Sequence, residues 1–90
     1  MRFEWDPDKA ARNLRKHGVS FDEATTAFGD PSSVTVFDPD HSEEEERFLL
    51  LGTTFAGRLV VVVHTDRAGA VRVISARMAT RHERKVHEGR

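Results

Sequence analysis

The chain has 90 residues, 38% of them apolar and none of them cysteine, and its net charge is −1. A chain this short buries only roughly 60% of its unfolded surface, which suits one compact domain, and without cysteine it has neither a disulfide nor a thiolate metal site. Its longest apolar run, 59–63, is far shorter than the roughly 20 residues that cross a bilayer. The charged start of the chain also lacks the apolar core of a signal peptide. We therefore expect a single cytoplasmic domain over 1–90 that does not enter the membrane.

Charge is distributed unevenly along the chain. Residues 19–46 hold nine acidic side chains and no basic one, whereas 72–90 hold six basic and two acidic side chains. Such a chain can present a basic face to a polyanion while its other side repels it. Exposed charge also keeps small domains in solution, so composition alone leaves both interpretations open.

Two helices are predicted near the start. Asp6, which is followed by proline, is typical of a helix N-cap, and Gly18 is placed to end this helix in a left-handed conformation. Ser20 and Glu23 have the spacing of a capping box, in which each side chain bonds the other's backbone N–H, and they open the second helix. The Gly-Asp-Pro at 29–31 ends it.

The remainder predicts strands and a last helix. β-branched and apolar residues indicate four strands, at 33–38, 47–54, 58–65 and 70–78, with a short additional strand at 1–5 as an option. The four valines at 60–63 do not alternate with polar residues, which favours a central strand covered on both faces. Thr80 and Glu83 form a second capping box and open a helix to about Glu88. We expect an α+β fold in which an antiparallel sheet of about four strands carries two N-terminal helices and one C-terminal helix.

Basic residues of the last strand are the first candidates for chemistry. Strand alternation puts Arg77 and Arg72 on opposite faces unless the strand is bulged. A hairpin between the last two strands would bring His64 near Arg72 or Val73, with Arg67 near the turn. A histidine near arginines holds its neutral form more readily, and guanidinium groups bind phosphate and offset charge that develops in phosphoryl transfer. Metal-free RNA cleavage needs only groups of this kind.

Structural roles are the alternative. The arginines can pair with Asp66, Glu83 and the acidic loop. His64 would then be a strand residue whose hydrogen bonds are made within the fold. Lys16 and His17 lie at the end of the first helix, where the helix dipole favours cations, so capping is their default role and substrate contact the second. The run HSEEEE at 41–46 is interpreted as a solvated loop and not as a metal site.

Several segments together resemble a known family. They are FEWDPDKAARNLRKHGVSFDEA (3–24), FGDP (28–31), DPDHSEEEERF (38–48), the glycine at 52, Gly-Arg at 57–58 and RVISARMATRHERK (72–85), and they are similar to the BrnT toxins of type II toxin–antitoxin modules. The resemblance implies a RelE-like ribonuclease fold, RNA cleavage that arrests translation and growth, and a BrnA-type antitoxin that neutralises the toxin. Operator DNA would be contacted only through the antitoxin in a hetero-oligomer. We expect no metal and no other cofactor.

The resemblance also implies site residues. Positions that match the family's recurrent polar pattern are Lys16, His17, Glu46, Arg47, Arg67, Arg72, Ser75, Arg77, Arg81 and Glu83. The residues expected to act in catalysis are Arg47, Arg67 and Arg77 on the phosphate, His64 as acid or base, and Glu46 as the alternative base. The residues expected to bind RNA are Lys16, His17, Arg72 and Arg81. The family commonly has tyrosine where this chain has His64 and His87, so no role here can depend on a phenol. The alternative function is a non-catalytic module that acts by binding its antitoxin and regulating the operon through the complex.

Overall fold

The computed structural model describes residues 1–41 and 45–89. Within these ranges the elements are β1 (Arg2–Glu4), α1 (Pro7–His17), α2 (Phe21–Thr26), β2 (Val34–Asp38), β3 (Arg47–Thr53), β4 (Leu59–Arg67), β5 (Ala70–Met78) and α3 (Arg81–Glu88). Short 3-10 turns follow α2 at Ala27–Gly29 and β2 at Pro39–His41.

The strands form one mixed sheet in the order β1-β5-β4-β3-β2. From β2 to β5 each strand is antiparallel to the next in the chain, as the short connections predict. β1 adds a fifth strand at the optional position, and it is parallel to β5. The chain from α1 to β4 lies between these two strands and provides the long crossover that a parallel pair requires.

Predicted caps account for the ends of α1. The Asp6 carboxylate accepts a hydrogen bond from the Asp8 backbone N–H at 2.9 Å. At the other end Gly18 has φ of 71°, a conformation that glycine adopts without strain, and its N–H donates to the Leu14 carbonyl at 2.9 Å. Both ends of this helix are therefore fixed by local sequence.

The capping box predicted at the start of α2 forms only in half. Ser20 Oγ accepts from the Glu23 N–H at 3.0 Å, as expected. The Glu23 side chain instead accepts from Arg58 Nε and from Thr54 Oγ1, each at 2.8 Å. A guanidinium offers the carboxylate charge-assisted hydrogen bonds, which are stronger than one to a neutral backbone N–H. Glu23 thus ties α2 to the β3–β4 connection.

The core lies between the sheet and the two N-terminal helices. Its buried side chains are Val19, Phe21, Ala24, Ala27, Leu50, Val60, Val62, Val73 and Ala76. β4 is the middle strand, so the prediction from the valine run is confirmed. Gly52 is needed where β3 passes the 3-10 turn, since a Cβ there would lie 2.9 Å from the Ala27 carbonyl oxygen. None of the helices in 1–41 or 45–89 is long and apolar enough to cross a membrane.

Candidate functional site

β5 contains an irregularity that decides where its basic side chains point. Val63 of β4 pairs with Ser75, whereas the next residue of β4 pairs with Val73, so Ile74 is an extra residue in β5. Side-chain alternation restarts after such a bulge. The predicted separation of the strand's two arginines onto opposite faces is therefore wrong, because strict alternation holds only in an unbulged strand.

Arg72, Ser75 and Arg77 instead share one face of the sheet. Their partners in β4 are Thr65, Val63 and Val61, which are alternate residues of a regular strand. The face also carries Arg67, at the end of β4, and Arg47, which lies opposite Asp38 of β2. We call this surface, which faces away from α1 and α2 and is partly covered by α3, the arginine face.

Arg77 is bound by α3. Its Nη1 and Nη2 donate to the two carboxylate oxygens of Glu83 at 2.8 and 2.9 Å, and Glu83 also accepts from the Thr80 backbone N–H at 2.8 Å. The hydrogen bonds from Arg77 lower the pKa of Glu83 to about 2, and the same pair raises the pKa of Arg77. The structural alternative, an Arg77–Glu83 ion pair, is thus observed, and the predicted capping box at Thr80 is confirmed. A phosphate that takes both terminal nitrogens of Arg77 has to displace the carboxylate.

Arg72 and Arg47 lie toward the end of the sheet where β4 turns into β5. Arg72 is opposite Thr65, whose Oγ1 donates to the Glu46 carbonyl at 2.6 Å and so ties the start of β3 to β4. Arg47 Nη2 lies 3.8 Å from the Glu45 carboxylate. Glu46 is exposed and lines a shallow depression with Glu45, Phe48, Thr65 and Asp66.

Arg67 and Arg81 are both exposed. Arg67 pairs with Ala70 at the hairpin end, where Ala68 and Gly69 have φ of 50° and 82° and form the two-residue turn. Arg67 therefore lies near the turn, as predicted. Arg81 is the first residue of α3.

His64 lies on the opposite face from the arginines. Its ring contacts Phe28 edge-on, with centroids 4.9 Å apart, and stacks on Phe48 at 5.9 Å; 6% of the residue is exposed. Burial lowers the pKa of His64, so the ring is neutral at pH 7. The ladder position is as predicted, because His64 pairs with Val73. The expected proximity of its ring to Arg72 and the other arginine side chains is wrong, since the sheet lies between them.

A second basic surface lies between the outer edge of β5 and α1. β1 pairs with β5 only as far as Arg72. Beyond it, the Asn13 side chain acts as a strand neighbour: Oδ1 accepts from the Ala76 N–H at 3.1 Å, and Nδ2 donates to the Ala76 and Val19 carbonyls at 2.8 and 3.0 Å. These bonds fix α1 against β5.

Between them α1 and β5 enclose a depression of about 320 Å³, which we call the α1 groove. Its basic side chains are Lys9, Arg12, Lys16 and His17, and its opposite wall is formed by Ile74 and Ser75. Among the residues that the structure describes, none that lines the groove is acidic. Ser75 belongs to both surfaces and joins the α1 groove to the arginine face.

Three polar residues of this groove, Lys9, Arg12 and Asn13, are absent from the site that the sequence predicts, whereas Lys16 and His17 were predicted. Lys9, Arg12 and Lys16 recur at spacings of three and four residues, which puts them on one side of a helix and was the available signal. Asn13 is a polar residue in a helix interior, which indicates a specific hydrogen-bond partner but not its identity. In the acidic run HSEEEE, residues 42–44 lie outside the described residues, so the solvated-loop interpretation stays a prediction.

Comparisons with known proteins identify the family and the fold of the chain. A family model described as "Ribonuclease toxin, BrnT, of type II toxin-antitoxin system" matches residues 5–83. The crystal structure of the Brucella abortus ribonuclease toxin, BrnT, has a similar fold, with a TM-score of 0.66 and 23% sequence identity over 90% of this chain and 99% of that chain. The comparison with curated proteins yields no match. The predicted α+β fold class is confirmed, and the family description implies an antitoxin partner. The chain belongs to the BrnT family of ribonuclease toxins from type II toxin–antitoxin systems.

Proposed function

We propose that this chain is an endoribonuclease toxin that cleaves RNA without a metal ion and thereby inhibits translation and growth. Family membership supports the reaction class, and one observation carries the location: Ser75 lies where the α1 groove meets the arginine face. Arg72 and Arg77 flank Ser75 at about 7 Å along the sheet, a distance that an extended arginine side chain spans. A phosphate at Ser75 is therefore within reach of cations from two sides.

Cleavage of this kind is an attack of the 2′-oxygen on phosphorus with departure of the 5′-oxygen. A base takes the proton of the 2′-hydroxyl and an acid supplies one to the leaving oxygen. Guanidinium and ammonium groups offset the negative charge that develops on the phosphate oxygens. We propose that this negative charge is offset by Arg72 and Arg77 beside Ser75, by Lys16 from α1, and by Arg47 and Arg67 at the neighbouring end of the arginine face. Arg81 would be an outer RNA contact.

We assign proton transfer to His17 in place of His64. His17 lines the α1 groove together with Ser75, whereas the His64 ring is enclosed by phenylalanines behind the sheet. Imidazole is suited to exchanging protons near neutral pH. Glu46, an exposed residue that precedes Arg47 in the chain, remains the alternative base.

We further propose that the antitoxin is of the BrnA type, that toxin and antitoxin form a hetero-oligomer in the cytoplasm, and that operator DNA is contacted only through the antitoxin. The nine acidic side chains within 19–46 support the last point, because they repel a DNA duplex.

Partner binding without catalysis is the second candidate function. Val36 and Val86 are each about half exposed, at 51% and 47%. Val36 and Val86 line an apolar depression between α3 and strands β2 and β3. Exposed apolar side chains that cluster in this way favour a protein contact.

The test combines cleavage and growth assays. Purified protein should cut RNA in the presence of EDTA, and His17→Ala should lower the rate by about 10²-fold, the usual contribution of one general acid or base. Arg72→Ala should also lower it, whereas Arg84→Ala, an exposed arginine of α3, serves as the matched control and should leave the rate close to wild type. Expression of the chain should halt growth, and co-expression of the antitoxin should restore it. Growth arrest that survives both His17→Ala and Arg72→Ala would instead support action by binding alone.

A further inference from the structure

We propose that Lys9 and Arg12 form a binding subsite for a phosphate of the RNA strand other than the one that is cleaved. The inference rests on the proposed function, because it assumes that the cleaved phosphate lies near Ser75. It concerns the turn of α1 that carries Lys9 and Arg12 and gives these residues a separate task, which is to hold a neighbouring phosphate of the strand while the cleaved one reacts.

The spacing along α1 supports two phosphate positions. Lys9 and Lys16 are separated by about 10 Å along the helix axis, given a rise of ~1.5 Å per residue. This exceeds the separation of neighbouring phosphates in one nucleic-acid strand, so the groove is long enough to hold two phosphates of the strand. Arg12 lies between them, one turn from each, and all three side chains line the same depression.

The subsite is held on a fixed frame. Asn13 lies beside Arg12 in the chain, and its three hydrogen bonds, to Ala76 and Val19, fix the helix to β5. The distance between the basic side of α1 and the wall at Ile74 and Ser75 is therefore set by buried hydrogen bonds and not by the long side chains themselves. A strand that enters the groove meets cations already gathered on one side.

The chemistry of the groove favours a nucleic-acid strand over an acidic protein segment. The cations are not offset by any acidic side chain among the described lining residues, and Ile74 is the only aliphatic side chain among them. A protein segment gains most of its affinity from apolar contact in the centre of an interface, which this groove scarcely offers. A nucleic-acid strand gains it from phosphate contacts, which this groove offers along its length. The apolar side chains exposed on β2 and α3 lie elsewhere.

The experiment compares two variants of equal charge. Lys9→Ala/Arg12→Ala removes the subsite, and Arg15→Ala/Arg84→Ala removes two exposed cations outside the groove. Binding of a short, fluorescently labelled 2′-O-methyl oligoribonucleotide, which lacks the attacking hydroxyl, is measured by anisotropy over a range of salt concentrations. Thermal unfolding checks that both proteins are folded, and substitution of exposed helical side chains by alanine should keep them so.

The subsite variant should bind at least about tenfold more weakly than wild type. The magnitude of the slope of log K against log salt should fall by about 0.7, the value for one lost phosphate contact on a single strand. On cleavable RNA it should raise KM and leave kcat nearly unchanged, because the lost contact is not part of the reaction. The control variant should show a much smaller loss. Equal losses in the two variants would overturn the subsite and indicate a general effect of net charge.

Other outcomes separate this inference from the proposed function. If wild-type protein and the subsite variant bind and cut RNA equally well, the subsite is overturned and the proposed function stands. Wild-type protein that neither binds nor cuts RNA overturns both. A subsite variant that keeps RNA binding but no longer binds the antitoxin overturns the subsite in favour of a protein contact.

Discussion

At the scale of single residues, burial distinguishes the histidines. The His64 ring is enclosed between Phe28 and Phe48, and desolvation disfavours its charged form. His17 lines an open groove. The sequence supplies both residue types but not the side of the sheet on which each lies, because that depends on which helices cover the strand.

We expect His64→Phe to keep RNA cleavage at the wild-type rate, because a second aromatic ring preserves the packing and no proton is exchanged at this position. Its stability should depend less on pH than that of wild type. The pKa of His64 is lowered by burial from 6.5, so the unfolded chain binds a proton that the folded chain excludes, and stability is lost as pH falls below about 6.5. Urea unfolding at pH 7.5 and pH 5 measures this difference. A folded His64→Phe protein that no longer cuts RNA would contradict the structural role.

Asn13 is the residue whose role the sequence hides most completely. Its partner Ala76 lies 63 residues away, and no local pattern encodes a contact of that range. Asn13→Ala would leave the Ala76 N–H and the Ala76 and Val19 carbonyls without this partner. We expect a loss of about 2–4 kcal/mol in the free energy of unfolding, because each buried unsatisfied group costs about 1–3 kcal/mol. Chemical denaturation measures it, with Arg15→Ala, which should stay within about 0.5 kcal/mol, as the control on the same helix. A loss no larger than that of the control would remove Asn13 as a determinant of the groove.

At the scale of elements, α3 is held mainly through polar contacts at its two ends. Glu83 in its first turn binds Arg77, and His87 Nε2 in its last turn lies 3.1 Å from the Asp30 carboxylate. Between them Val86 remains 47% exposed. The helix therefore depends more on these polar contacts than on apolar burial, in contrast to α2, whose Phe21 and Ala24 are buried.

We expect Glu83→Gln to loosen α3 while keeping its N-cap, since glutamine still accepts from the Thr80 N–H. The loss at pH 7 should be about 1–2 kcal/mol, because the Arg77 side chain is 38% exposed and water screens the pair. The pKa of Glu83 is lowered from 4.5 to about 2, so this stabilisation is present above pH 4.5 and is lost as pH falls toward 2. Denaturation at several pH values, with the exposed Glu88→Gln as control, measures it. A difference between Glu83→Gln and wild type that stays constant down to pH 2 would contradict the ion-pair origin.

Element positions and types were largely predictable, whereas the bulge in β5 was not. Caps at Asp6, Ser20 and Thr80 mark the helices, because a short polar side chain there satisfies backbone N–H groups that the helix leaves open. The insertion of Ile74 has no comparable local signature, since it results from how β5 pairs with β4. The grouping of Arg72 with Arg77 depends on that pairing, and so does the location of the site that we propose.

At the scale of the whole molecule, three carboxylates connect separate parts of the fold and should make it sensitive to acid. The pKa of Glu23 is lowered by hydrogen bonds from Arg58, that of Asp30 by the backbone N–H groups of Thr53 and Ser32, and that of Glu83 by Arg77. Because each folded pKa lies below the unfolded value, their stabilisation is complete above about pH 4.5 and is lost as pH falls below it. We expect the midpoint of thermal unfolding to fall between pH 5 and pH 2. A midpoint that is constant or rises over this range would contradict the prediction.

The α+β class and the central strand follow from the sequence because periodicity and valine content are local properties. The parallel pairing of β1 with β5 does not follow, since strands so far apart in the chain carry no mutual signal. The uneven charge of the sequence does indicate a basic surface, but the groove of Lys9, Arg12, Lys16 and His17 exists only once Asn13 has joined α1 to β5.

The adjacency of β1 and β5 has a consequence for the chain while it is being made on the ribosome. β1 emerges first, yet its only strand neighbour within the described chain is the last strand of the sheet. The α1 groove likewise has no second wall until Ile74 and Ser75 have emerged. Contacts between residues far apart in the chain form slowly, because the entropy of loop closure opposes them. The RNA site that we propose therefore cannot form until β5 has been translated.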